Sequence, residues 1–223
     1  MTSEGNTPRP PLTKGRILQA AVDLADREGL GALTMRRLGA ELGVEAMALY
    51  KHVANKEEIL DGILDLVVGE IEIPSEGAGW KDAMRRRAMS ARDVLSRHSW
   101  AIGLLEARGA MGPAAVRYLD AILGNLRSAG FSIENAAHAF WLLDSYVYGH
   151  VIQETSLPFG TSEEMTESTG SIREEVTTDE YPHLAEIGEH AQRFGYSVDG
   201  EFEFGLELIL DALGEHRARP RLA

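Results

Sequence analysis

The stretch from Thr34 to Lys56, TMRRLGAELGVEAMALYKHVANK, leaves little freedom in what this chain can fold into. Thr34 is a good helix N-cap. Met35, Leu38 and Leu42 fall at i, i+3 and i+7, which puts them on one stripe of a helix. Gly43 can take the left-handed conformation that ends that helix. Val44 and Leu49 then point inward from a second helix, leaving Ala46, Met47, Ala48, Tyr50, Lys51 and His52 near its outer face. Asn55, with Glu58 three residues on, is a capping box that opens a third helix at Lys56. Two short helices around a tight turn, running into a third, follow the logic of a helix-turn-helix, whose second helix enters the major groove of DNA. A helical hairpin with no DNA role would show the same periodicity, so the flanking charges matter. Arg36 and Arg37 begin the first helix of the pair, within reach of phosphates. Lys56 begins the third, where its charge and the first N–H groups of the helix can hold a phosphate together.

Charge distribution bears on the same question. The 223 residues carry a net charge of −13, which at first argues against DNA. Residues 1–56, however, hold eight Lys/Arg against six Asp/Glu, and residues 57–223 hold fourteen against twenty-nine. The acid therefore belongs to the rest of the chain, where it limits non-specific association with nucleic acid. With no cysteine, disulfides, thiolate nucleophiles and zinc–thiolate sites are excluded. No apolar run approaches the roughly 20 residues that span a bilayer, and the first residues lack the apolar core of a signal peptide. A cytoplasmic protein without membrane contact is expected.

Taken in order, residues 1–12 are polar and proline-rich and read as a disordered arm. Thr13 caps a first helix that ends near Gly29, with Ile17, Ala21, Leu24 and Ala25 buried and with Lys14 and Arg16 near its start. The helix after Asn55 runs to about Ile71, with Ile59, Ile63, Leu66 and Val67 on one face. It is the natural lever between a DNA-binding domain at 13–73 and a second domain at 74–223, separated by the break Pro74–Gly79. In the second domain Trp80, Met84, Ala88, Ala91 and Leu95 share a helix face, and a short helix follows from Trp100 to Glu106. Pro113 starts another, lined by Val116, Leu119, Leu123 and Leu126. A long helix from Ser132 to about Glu154 is apolar nearly all round, which requires burial on several sides. Residues 155–180 show no helical stripe and read as a mobile loop. Tyr181–Phe194 reads as a helix with Leu184, Ile187 and Ala191 buried, and a last helix runs from about Glu201 to Arg217 on Phe202, Leu206, Ile209 and Leu213. The result is an all-α chain of about ten helices.

The spacing T-x-x-x-L, then L-G-V, then L-Y-x-H-V-x-x-K resembles the DNA-binding domain of the TetR (tetracycline-repressor) family of transcriptional regulators, over about Leu12 to Leu66. Gly39 departs from that pattern, which usually has alanine there; a glycine inside a helix costs about 1 kcal/mol. The strings AGFSIENA at Ala129–Ala136 and FEFGLELIL at Phe202–Leu210 are similar to the ligand domain of the tetracycline-repressor subgroup, so the resemblance covers nearly the whole chain.

The resemblance implies a three-helix helix-turn-helix domain, a larger helical ligand-binding and dimerisation domain, and a homodimer through the helices at about 132–154 and 201–217. It implies a palindromic operator in double-stranded DNA, met by Thr34, Arg36, Arg37, Ala46, Met47, Ala48, Tyr50, Lys51, His52 and Lys56. Alanine and methionine pack on thymine methyls, Lys51 reads guanine or holds a phosphate, and Tyr50, His52 and Lys56 position the backbone. Around the family cavity stand Arg87, Ala91, Trp100, Leu104, Leu105, Arg108, Ile122, Leu126, Phe140, Leu143 and Asp144. Where tetracycline repressors hold a drug–magnesium chelate with two histidines, an asparagine and a glutamine, this chain has Glu72, Leu105, Arg87 and Ile122. A different small-molecule effector is expected, with no required metal or other cofactor. A repressor released by that effector is the principal expectation. A same-fold activator or a ligand-independent regulator is the nearest variant. An all-helical enzyme is the distant one, since no G-x-S-x-G, H-E-x-x-H, P-loop or dinucleotide glycine pattern is present.

Overall fold

The computed structural model describes residues 11–73, 79–108, 112–156, 181–194 and 197–217. Among them the chain is all-α, as expected, with ten α-helices, one 3-10 turn and no strand. The helices are α1 (Lys14–Glu28), α2 (Met35–Leu42), α3 (Ala46–Leu49), α4 (Lys56–Gly69), α5 (Trp80–Arg97), α6 (Trp100–Ala107), α7 (Pro113–Ser128), α8 (Ile133–Ser156), α9 (Pro182–Phe194) and α10 (Val198–His216). Most of the arm at 1–12, most of the break Pro74–Gly79, residues 157–180 of the loop expected at 155–180 and the end of the C-terminal tail lie outside the described residues, while Thr155 and Ser156, expected in that loop, extend α8.

The chain divides into two compact units. The first comprises Met1–Ile71 and Arg97–Asp120, and so takes in α6 and the first half of α7 beside α1–α4. Its helices begin where side chains cap them: Thr13 Oγ1 accepts from the Arg16 amide at 3.3 Å, and Asn55 Oδ1 accepts from the Glu58 amide at 2.8 Å. The return half of the capping box is displaced by one residue, because Glu58 Oε2 accepts from the Ala54 amide at 2.6 Å. That bond, with Lys14 second, holds the Glu58 carboxyl below its usual range. The core of this unit is Ile17, Ala21, Leu24, Leu33, Leu38, Leu49, Ile59, Ile63 and Val67. Leu66, expected on the buried face of α4, is 40% exposed; Leu60 and Leu64 are buried instead, one turn position round.

The second unit comprises Glu72–Ser96 and Ala121–Ala223. Met84, Ala88, Ala91 and Leu95 of α5 are buried as expected. On α7 the buried residues are Tyr118, Ile122 and Leu126 rather than the expected Val116, Leu119 and Leu123. The helix carries two adjacent apolar stripes, and packing uses the one spaced i, i+4, i+8. Helices α8 and α10 pack on each other, and Val147, Val151, Phe202, Leu206 and Leu210 are buried along them. Tyr146 stacks on Phe202 at 5.3 Å and donates to the Phe202 carbonyl at 3.0 Å. Leu184 and Ile187 of α9, expected to be buried, are exposed, while the Ala191 side chain lies outside the described set.

Charged clusters help to organise this unit, among them the two that follow. Arg87 of α5 is 2% exposed, is ion-paired with buried Asp144 of α8, and lies 5.8 Å from the Phe140 ring centre. Tyr148 donates to the second Asp144 oxygen at 3.3 Å. The second cluster ties α5 to α10 at the surface: Glu207 pairs with Arg85 and, at 3.1 Å, with Lys81.

Removing one partner of a buried ion pair strands the other charge, which costs about 3–5 kcal/mol, whereas an apolar pair of similar volume is nearly neutral. Arg87→Ala and Asp144→Ala should each lose that much stability in urea titrations, and Arg87→Met with Asp144→Leu should recover more than half of it. The surface cluster makes a pH prediction. Its hydrogen bonds, chiefly from Arg85, hold the Glu207 carboxyl at about 2 against an ordinary 4.5. A depressed carboxylate stabilises the fold fully above its ordinary range and loses that contribution as pH falls toward 2. Melting temperature should fall between pH 4.5 and 2, and Glu207→Gln should flatten that fall while lowering the value measured near neutrality.

Candidate nucleic-acid interface and effector region

The turn between α2 and α3 is built from local rules. Thr34 caps α2, its Oγ1 accepting from the Arg37 amide at 3.1 Å. Gly43 closes α2 in the left-handed region at φ 66° and ψ 36°. The Gly43 amide donates to Ala40 at 3.1 Å and the Val44 amide to Gly39 at 2.9 Å, the two bonds of a Schellman turn. Gly39 permits this closeness: a Cβ there would stand 2.8 Å from the Val44 carbonyl oxygen and 3.2 Å from the Ala46 amide nitrogen. The departure from alanine therefore does more than weaken a helix. It lets the turn and the start of α3 settle directly on the α2 backbone.

The second helix is shorter than the sequence suggests. Regular α-helix covers only Ala46–Leu49, without a side-chain cap from Glu45, and Tyr50–His52 continue as turns. The His52 and Val53 amides both donate to the Leu49 carbonyl, at 2.9 and 3.1 Å. Leu49 and Val53 are buried and Val44 half-buried, so the segment is held from beneath. Above, Met47 is 74% exposed, Tyr50, Lys51 and His52 are exposed, and Ala46 and Ala48 are half-buried. Thr34 and Arg36 are also exposed, and Lys56 sits half-buried at the first position of α4. Arg36, Lys51, His52 and Lys56 have no ion pair among the described residues. Arg37 does: its guanidinium meets Glu28 at 2.5 Å and is raised further above its usual range mainly by that hydrogen bond. Lys14, near the start of α1, is likewise paired with Glu58. Both partners are acidic residues that periodicity alone does not connect to these cations.

The candidate effector residues fall into both units. In the second, Arg87, Phe140 and Asp144 come together as described, and Ala91, Ile122, Leu126 and Leu143 are buried. In the first, Leu104 is buried and Leu105 half-buried, and the two polar candidates are engaged elsewhere. Trp100 Nε1 donates to Asp26 Oδ1 of α1 at 2.7 Å, and the same oxygen lies 2.7 Å from His98 Nδ1. Arg108, which closes α6, reaches α4, pairing with Asp61 and with Glu57 at 2.6 Å each. The acidic face of α4 that receives it was not singled out from the sequence. Its signal is the spacing Glu57, Asp61, Asp65, four residues apart on one helix face. Among the described residues there is no cluster of acidic or histidine side chains fit to hold a metal ion, and no helix long and apolar enough to cross a membrane.

Comparison with known proteins agrees with this geometry. Residues 17–63 match the family model described as bacterial regulatory proteins, tetR family, and residues 73–216 match that of the tetracyclin repressor-like C-terminal domain. The HTH-type transcriptional repressor DrrR1 of Streptomyces coeruleorubidus is 35% identical over 215 residues, spanning 92% of this chain and 78% of that one. The class A tetracycline repressor of transposon 1721 from Escherichia coli is 28% identical over 92% of each chain. Among solved structures, the Streptomyces coelicolor protein ActR in complex with actinorhodin superposes with a TM-score of 0.76 at 30% identity, covering 94% of this chain and 100% of that one. The helix-turn-helix, the helical second unit and these matches together make the chain a member of the TetR family of bacterial transcriptional regulators, a family of regulators and not of enzymes.

Proposed function

We propose that the chain is a cytoplasmic, effector-released repressor that binds a palindromic operator as a homodimer. The observation that carries the reading is the surface formed by Ala46, Met47, Ala48, Tyr50, Lys51 and His52. It stands exposed or half-exposed above a buried Leu49, flanked by the exposed Arg36 and by the start of α4 at Lys56. Its small apolar centre suits thymine methyls, and its rim of cations suits phosphates. Arg37 and Thr34 serve the same surface from the start of α2, Arg37 by exchanging Glu28 for a phosphate.

The apolar excess of α8 and α10 supports a homodimer. Trp141 is 66% exposed, and Leu142, Ile152, Phe204 and Leu208 are also exposed on the two helices that already pack together. Such a patch on a single chain is what a partner face requires. A two-fold dimer presents two recognition segments and so reads a palindrome.

The effector is a small molecule other than a tetracycline–magnesium chelate. ActR, in complex with actinorhodin, shows that a protein of this similarity takes a small molecule. The buried Arg87–Asp144 pair, Phe140, and the apolar Ala91, Ile122, Leu126 and Leu143 supply one set of contacts. Trp100, Leu104, Leu105 and Arg108, within the first unit, are the remaining candidates. Arg108 gives the release step a physical basis. Contact with an acidic effector group competes with Glu57 and Asp61 of α4, so the effector favours the state in which α6 has let go of the lever. Only such a preference between states shifts operator binding.

Selection from random DNA by the full-length protein should return a palindromic site. Arg36→Ala with Lys51→Ala should weaken binding to that site at least tenfold at fixed moderate salt, with unchanged circular dichroism, and lower the log–log salt slope by about four, since each protomer of the dimer loses two cations. Recovery of no palindromic site, or an unchanged affinity in the double variant, overturns the reading.

A further inference from the structure

We infer that Asp65, on the lever helix α4, is a positioning residue for operator recognition, acting by holding the first amides of α7. Three observations in the first unit carry this. Asp65 Oδ1 accepts from the amides of Ala114 and Ala115, at 2.8 and 3.1 Å, at the second and third positions of α7. A carboxylate from a neighbouring helix thus does the work that an N-cap side chain of α7's own chain segment ordinarily does. The residue before α7 is Gly112, and a Cβ there would overlap the Asp65 carboxylate and its Cβ. The close approach is therefore specific to a glycine at that position. Lastly, Asp65 is the third member of the acidic series on α4 whose first two members, Glu57 and Asp61, hold Arg108 at the end of α6. One face of α4 grips the chain on both sides of the segment that joins α6 to α7.

The consequence follows from chain continuity. Helix α7 is a single helix whose residues 113–120 belong to the first unit and whose later residues, Ile122 and Leu126 among them, belong to the second. A turn or shift of α7 about its axis moves the amides of Ala114 and Ala115, and with them the lever that carries Lys56 at its start. A neutral acceptor would hold those amides less firmly, since a carboxylate hydrogen bond is roughly twice as strong. The inference rests on the operator-binding reading above and adds to it the residue through which the lever is set.

The test uses the full-length protein and the duplex recovered by selection from random DNA. In the wild-type protein, adding that duplex should slow hydrogen exchange at the Ala114 and Ala115 amides by at least tenfold, and an unrelated duplex of equal length should not. Asp65→Ala and Gly112→Ala should each weaken binding to the selected duplex at least tenfold while leaving binding to unrelated duplex within twofold. Asp65→Asn, which keeps an acceptor, should recover part of the loss. A purely structural role would instead lower both affinities together. The inference is overturned by unchanged exchange in the wild type, by an equal loss on both duplexes, or by variants that bind the selected duplex as the wild type does. If the wild-type protein itself selects no duplex, the operator reading fails first, and this inference fails with it.

Discussion

How closely α2 approaches the turn that follows it decides what this protein can offer to a groove. The Val44 amide bonds to the Gly39 carbonyl at 2.9 Å, and the Gly39 backbone lies against Val44 and Ala46 with no room for a side chain between. Gly43, in the left-handed region, sends the chain back across that contact. From this one junction follow the burial of Leu49, the outward direction of Met47, Tyr50, Lys51 and His52, and the short distance along the chain to Lys56. A glycine is a poor helix former, at a cost of about 1 kcal/mol, and the hydrogen-bonded turn it admits offsets that cost.

Electrostatics then divide the chain's labour. Arg36, Lys51, His52 and Lys56 have no ion pair among the described residues, while other cations of the first unit are matched, among them Arg37 with Glu28, Arg27 with Glu41, Lys14 with Glu58, and Arg108 with Glu57 and Asp61. Most of these pairs are exposed and contribute modestly to stability. Their effect is on geometry. They fix α1 to α2, α1 to the start of α4, and α6 to the same helix. Helix α4 is thereby both the helix that begins at Lys56 and the receiver of contacts from α6 and α7. In the second unit the buried Arg87–Asp144 pair is different in kind. It adds little net stability compared with an apolar pair and constrains strongly where α5 and α8 meet.

Much of this was legible in the sequence, and the division has a physical cause. Caps, turns and stripes depend on neighbours within a few residues, so Thr13, Thr34, Gly43 and Asn55 mark the ends of α1, α2 and α4 as read. The length of α3 was overestimated because a stripe continues past the point where the backbone leaves regular helix. On α7 two apolar stripes lie side by side, and only packing chooses between them. Leu184 and Ile187 on α9, and Trp141 and Phe204, are exposed in this chain although they sit on apolar stripes, and a stripe does not say what covers it. The pairing of Arg108 with α4, of Trp100 with Asp26, and the capping of α7 by Asp65 join residues roughly 50 or more positions apart. No local pattern connects such residues, although the four-residue spacing of Glu57, Asp61 and Asp65 was visible.

The central claim is that two copies of one small recognition surface read one DNA site. Sedimentation of the full-length protein on its selected duplex, and on the same duplex with one half scrambled, tests it most directly. The account predicts a mass of two chains per intact duplex and a large loss of affinity when either half is scrambled. One chain per duplex, with affinity indifferent to the second half, would contradict it.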